Sequence, residues 1–138
     1  MTGAEPRIFT VEEANRMLPL VRRIVRDIVE GHGTWALAVR TYEAAATWAR
    51  PDAPTDTLGA LEADVRRAAA DIDGFLRELR ELGVEFKGFD LGLVDFPGEM
   101  DGRQVCLCWK LDEAEVMYWH ETSGGFAGRQ PLAPSQRT

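Results

Sequence analysis

Eight apolar residues between Leu58 and Leu82 recur at steps of three and four without an error: Leu58, Leu61, Val65, Ala68, Ile72, Phe75, Leu79 and Leu82. That spacing keeps a seam on one side of an α-helix. It predicts a helix from about Asp56 to Leu82, roughly 40 Å long at about 1.5 Å per residue. Gly83 follows the last seam residue and suits a left-handed helix end. A helix of this kind owes most of its stability to the surface it packs against, so the chain must supply a partner for the seam.

The partners lie upstream. Thr10 and Glu13 form a capping-box pattern, with Phe9 placed to cover the helix start. Val11, Ala14, Leu18, Val21, Val25 and Ile28 then repeat the same spacing. Pro19 lies inside this run, where its missing donor predicts a kink or a staggered start. Gly31 and Gly33 predict a break that leaves His32 in a loop. A second helix is predicted from about Thr34 to Ala49, with the stripe Trp35, Val39, Tyr42, Ala46 and Ala49. Arg50 to Thr57 carries two prolines and reads as a loop. The segments can form an antiparallel three-helix bundle. If the first two helices are nearly continuous, they form a coiled-coil-like hairpin that a second chain would complete.

After Gly83 the period changes to two. Val84–Lys87, Leu93–Phe96, Gln104–Lys110 and Glu115–His120 read as strands of an antiparallel meander, with turns at Gly98–Gly102 and Leu111–Ala114. Those turns place Asp95 opposite Val105, and Val105 opposite His120. One face then holds Leu93, Asp95, Val105, Leu107, Trp109, Val116, Tyr118 and His120. The other holds Val94, Phe96, Cys106, Cys108, Met117 and Trp119. Both are largely apolar, which predicts cover on both sides: helices on one, and the C-terminal tail or a second subunit on the other. This is the main argument for a homodimer. The fold class is α+β, long N-terminal helices followed by a small antiparallel β-meander. A length of 138 residues predicts a single domain, 1–138, with the helical scaffold at about 10–82 and the sheet and tail at about 83–132.

Charge narrows the function classes. The net charge is −7, with 16 basic residues against 23 acidic ones, which disfavours nucleic acid and anionic lipid as partners. No apolar run approaches the roughly 20 residues that span a bilayer. The opening MTGAEPRIF lacks the pattern of a secretion signal, so a cytoplasmic location is expected. Cys106 and Cys108 share a strand face about 6–7 Å apart, too far for a relaxed disulfide, so both are expected as thiols.

The candidate chemistry sits in the sheet. His120, beside Glu121 at a strand end, suits a metal ligand or a proton-transfer group, with Asp95 as its partner. The plainer reading is a sheet-edge histidine bonded to a carboxylate. Asp95 lies between Val94 and Phe96, where a charge needs pairing; Arg129 is the expected partner. Glu113 and Arg129 complete the candidate ligand-binding set, though Glu113 also reads as a turn carboxylate. Glu12 and Glu13 suit the positive end of a helix and could complete a metal shell if that end meets the sheet. Cys108, next to Trp109, reads better as a buried inert thiol than as a nucleophile. The glycines around Arg129 could admit an anion but read better as letting the tail wrap the sheet. With two histidines and no HExxH or CxxC, a structural zinc site is disfavoured. A mixed histidine–carboxylate site for Zn, Mn or Fe, with Asp95 and His120 as ligands, is left open.

The segments FTVEEANRMLP (Phe9–Pro19), GLVDFP (Gly92–Pro97), LCW (Leu107–Trp109), YWHE (Tyr118–Glu121) and GFAGRQPL (Gly125–Leu132) together resemble the prokaryotic domain-of-unknown-function family 2203. Where that family carries Gly-Glu after LCW, this chain carries Asp112-Glu113, a departure that bears on the turn type. The resemblance implies no particular activity. Three readings therefore stand: a metal- or small-ligand-binding homo-oligomer with its site on the sheet, a protein–protein interaction module built on the helices, and a metal-assisted hydrolase.

Overall fold

The computed structural model describes residues 7–50 and 56–137. Two long helices, α1 (Val11–Thr47) and α2 (Asp56–Glu81), form a hairpin. A five-stranded antiparallel sheet follows, in the order β1 (Glu85–Gly88), β2 (Leu93–Met100), β3 (Arg103–Lys110), β4 (Tyr118–Glu121) and β5 (Gln130–Pro131). The chain is thus α+β, a helical hairpin followed by a β-meander. No helix among the described residues is long and apolar enough to cross a membrane.

The Thr10–Glu13 capping box forms with both of its hydrogen bonds, at 3.0 and 2.9 Å. Gly83 takes the left-handed conformation, φ +86°, just past α2. The expected break at Gly31–Gly33 does not occur. The first two predicted helices are one helix, with Pro19 in its interior and His32 within it, stacked on Phe89 at 4.3 Å. The reason is helix packing: a Cβ on Gly31 would stand 3.3 Å from Ile72 Cγ1. Close approach of α2 offsets the roughly 1 kcal/mol that glycine costs a helix. The predicted loop at Arg50–Thr57 lies largely outside the described residues.

The core lies between α1 and one face of the sheet. Leu18, Val21, Val25 and Ile28 belong to the same cluster as Val94, Phe96, Val105, Leu107, Trp109 and Trp119. Phe9 joins it edge-on to Phe96 at 5.2 Å, and its N–H donates to Pro97 O at 2.7 Å. That contact lies beyond the last β1 pair, Glu85 opposite Asp95. A proline there costs no ladder bond to β1. The loop between β3 and β4 is tied down on α1, where Asn15 Oδ1 accepts from Val116 N at 2.7 Å and Arg22 donates to Ala114 O at 3.0 Å.

The register corrects the sequence reading. β2 and β3 meet at a two-residue turn, Asp101-Gly102, with φ of 52° and 77°. That is the backbone of the Asp-Gly hairpin turn. Asp95 therefore stands opposite Cys108, not Val105, and His120 opposite Cys106, not Val105. Each shift is odd, and an odd shift exchanges the faces. Two exchanges leave Asp95 and His120 together and bring both cysteines to their face, while Val105, Leu107 and Trp109 go to the core. The second face is thus not an apolar layer, and that argument for a covering subunit falls away.

Candidate metal centre

Three neighbouring strands each contribute one side chain to the outer face: Asp95 from β2, Cys106 from β3 and His120 from β4. Their ligand atoms all lie within 4.8 Å of one another. Asp95 and His120 are sealed, at 3% and 2% exposure, and Cys106 is half-buried. Cys106 is paired directly with His120 and lies diagonally from Asp95, because Asp95 pairs with Cys108. Strand neighbours in these relations bring side chains within reach of each other.

The hydrogen bonds of His120 define what the cluster needs. Nδ1 lies 2.6 Å from Glu121 O and Nε2 lies 2.9 Å from Asp95 Oδ1. A carbonyl oxygen only accepts, so the first contact puts a proton on Nδ1. Nε2 then faces a carboxylate. A neutral imidazole would present a lone pair to that carboxylate, which is repulsive. The space between Nε2 and Asp95 is therefore filled by a proton, carried by the ring or by the carboxyl, or by a cation. An imidazole anchored through Nδ1–H to a backbone carbonyl, with Nε2 aimed at other donors, is the arrangement of a metal-ligating histidine.

Burial pushes the Cys106 thiol up to about 11, with the Asp95 charge adding to the effect. Cys108, more deeply buried, is pushed up to about 12. It is buried, as expected, and it faces Arg129 and Glu113. In a Cys–His nucleophile pair the imidazole must face the sulfur and the thiol must be acidified. Here both ring nitrogens are engaged elsewhere and the Cys106 thiol is harder to ionise than usual.

The cluster opens onto a cavity of about 580 Å³ whose walls include Glu85, Lys87, Pro97, Gln104, Thr122 and Phe126. Lys87 Nζ donates to Glu85 at 2.7 Å. That bond holds the ammonium above its usual pKa against the effect of burial, and the charges of Asp95 and Cys106 add to the shift.

Glu113 and Arg129 are brought together, but neither belongs to the cluster or lines the cavity. Arg129 Nη2 donates to Glu113 at 2.8 Å, and its guanidinium lies over Tyr118 at 3.8 Å and Phe126 at 4.9 Å. The expected Asp95–Arg129 pair is thus replaced by Asp95–His120 and Glu113–Arg129. Glu113 Oε1 also accepts from Lys110 N at 3.0 Å, closing the turn after β3. Glu13 caps α1, and Glu12 pairs with Arg16 at 3.3 Å. Neither reaches the cluster. The residue missed in the sequence is Cys106. The Asp101-Gly102 dipeptide, which specifies a two-residue hairpin, was the signal that could have found it.

Fold and site together define an α+β chain with an Asp–Cys–His cluster on the open face of its sheet. A family model described as Uncharacterized conserved protein (DUF2203) matches residues 7–132, and the chain belongs to that family. No curated protein and no solved structure gives a significant match.

Proposed function

We propose that the protein binds one divalent transition-metal ion through the Asp95 carboxylate, the Cys106 thiolate and His120 Nε2. The observation that carries this reading is the disposition of His120, with Nδ1 committed to a carbonyl and Nε2 facing a buried carboxylate at 2.9 Å. An ion in that position takes the place of the proton that the pair otherwise holds. One thiolate and one carboxylate offset its two charges, so a buried site stays neutral. A sulfur donor selects against magnesium, calcium and manganese and favours zinc, with iron next. Zinc bonds of about 2.0–2.3 Å set ligand atoms roughly 3.3–3.8 Å apart, so ligands within 4.8 Å of one another need small rotamer changes to enclose it. The ion also supplies the charge that turns the Cys106 thiol into a thiolate.

The test is metal content by mass spectrometry on protein purified without chelator, followed by zinc titration of the stripped protein. About one ion per wild-type chain is expected, with loss of binding in His120→Ala. Stripped wild-type protein that does not take up zinc contradicts the proposal.

A second reading, a protein interaction surface and homodimer contact on the helical hairpin, draws support from its far end. The last buried residue of α1 is Ile28, yet the helix runs to Thr47, with Leu37 58% exposed and Trp48 beyond it 83% exposed. Molar mass by light scattering tests it: a monomer at all concentrations argues against a homodimer.

A further inference from the structure

We infer that the ion keeps one coordination position open to the cavity, and that this position binds a small organic carboxylate whose second oxygen is held by Lys87. The inference rests on the metal-binding reading above and deepens it. The cluster supplies three protein donors, and a tetrahedral ion has four positions. Asp95 and His120 close the inner side, while Cys106 is half-buried and lines the 580 Å³ cavity with them. The fourth position therefore faces the cavity. Its volume lies in the usual range of about 300–1,000 Å³ for small-molecule sites.

Charge selects the ligand. The thiolate and the Asp95 carboxylate already neutralise the ion. One further cation, Lys87, stands on the wall, paired with Glu85 at 2.7 Å. Glu85 is 63% exposed in that pair, and an exposed ion pair contributes little to stability. A ligand carboxylate can replace Glu85 on Lys87 and release Glu85 to water at little cost. That exchange balances one negative charge, not two, which favours a monocarboxylate over a phosphate. Leu93, Pro97 and Phe126 offer apolar wall to the body of the ligand.

The experiment is titration of Co²⁺-loaded full-length protein with benzoate, using benzyl alcohol as the neutral control and following the cobalt absorption bands. The proposal expects a thiolate-to-cobalt band, saturable change of the ligand-field bands with benzoate, and none with benzyl alcohol. In Lys87→Met, cobalt should still bind while benzoate affinity falls about tenfold, the worth of one hydrogen bond to a charged group. A thiolate–cobalt band with no response to benzoate overturns the open position and leaves the metal reading standing. Equal response to benzyl alcohol overturns the choice of a carboxylate. Unchanged affinity in Lys87→Met overturns the role of Lys87. Absence of the thiolate–cobalt band removes both readings.

Discussion

Replacing Asp95 by asparagine should leave the metal-free protein nearly as stable as the wild type, whereas replacing it by alanine should destabilise it. In the wild type, with no cation bound, the contact between His120 Nε2 and Asp95 at 2.9 Å is satisfied by a proton held between ring and carboxyl. Both side chains are 3–4% exposed, so the pair is buried, and an ion pair when the ring carries the proton. Breaking such a pair by removing one partner costs about 3–5 kcal/mol. Asp95→Ala leaves His120 buried with a free ring nitrogen and a cavity. If the ring sheds its proton, the cost drops to about 1–3 kcal/mol for the unsatisfied lone pair. Asp95→Asn keeps the shape and turns the contact around, because an amide N–H can donate to the lone pair of a neutral ring. A neutral hydrogen bond replacing a buried ion pair should change stability by less than about 1 kcal/mol.

Urea unfolding in the presence of chelator, followed by tryptophan fluorescence, measures the difference. The expected order is wild type close to Asp95→Asn, with Asp95→Ala lower by at least about 1 kcal/mol, or roughly 3–5 °C in Tm for a chain of this size. Zinc at about 100 times its Kd should stabilise the wild type by about 2.7 kcal/mol and Asp95→Asn scarcely at all. If Asp95→Asn is as unstable as Asp95→Ala without metal, the account of a contact filled by a proton or a cation is wrong.

Three further outcomes follow from the geometry. Thr10→Ala should cost about 1 kcal/mol in chemical denaturation by opening the capping box. The Thr10 backbone N–H holds the Glu13 carboxyl below its ordinary value of 4.5, so its contribution is complete above that value and is lost as pH falls through the depressed folded value. Glu13→Gln should therefore show a shallower loss of stability with acid, and an unchanged acid limb would refute the capping role. Arg129→Ala should cost about 2–3 kcal/mol, below the fully buried range because both partners keep some solvent contact. It should leave zinc stoichiometry untouched, and loss of zinc in that variant would return Arg129 and Glu113 to the site.

The readable parts of the fold were those decided locally. The Leu58–Leu82 seam, the Thr10 box and Gly83 each depend on residues within one or two helical turns, and the structure shows all three. Gly31 misled because its helical conformation is supported by Ile72, far along the chain. The Asp95–His120 proximity was reached through two odd register errors that cancelled. Cys106 was lost to the same errors, since the turn expected over Gly98–Gly102 is only the two residues Asp101-Gly102 at its end. Arg129 depends on where the tail crosses the sheet. That crossing is set by the two-residue pairing of β5 with β4 and by burial of Leu132, and no local pattern announces it.

The central claim is that one ion sits between Asp95, Cys106 and His120. X-ray absorption at the zinc edge of the one-to-one complex tests it most directly. The account predicts a first shell with one sulfur at about 2.3 Å and the remaining nitrogen and oxygen neighbours at about 2.0–2.2 Å, with the sulfur lost in Cys106→Ser. A first shell of nitrogen and oxygen alone in the wild-type protein would contradict it.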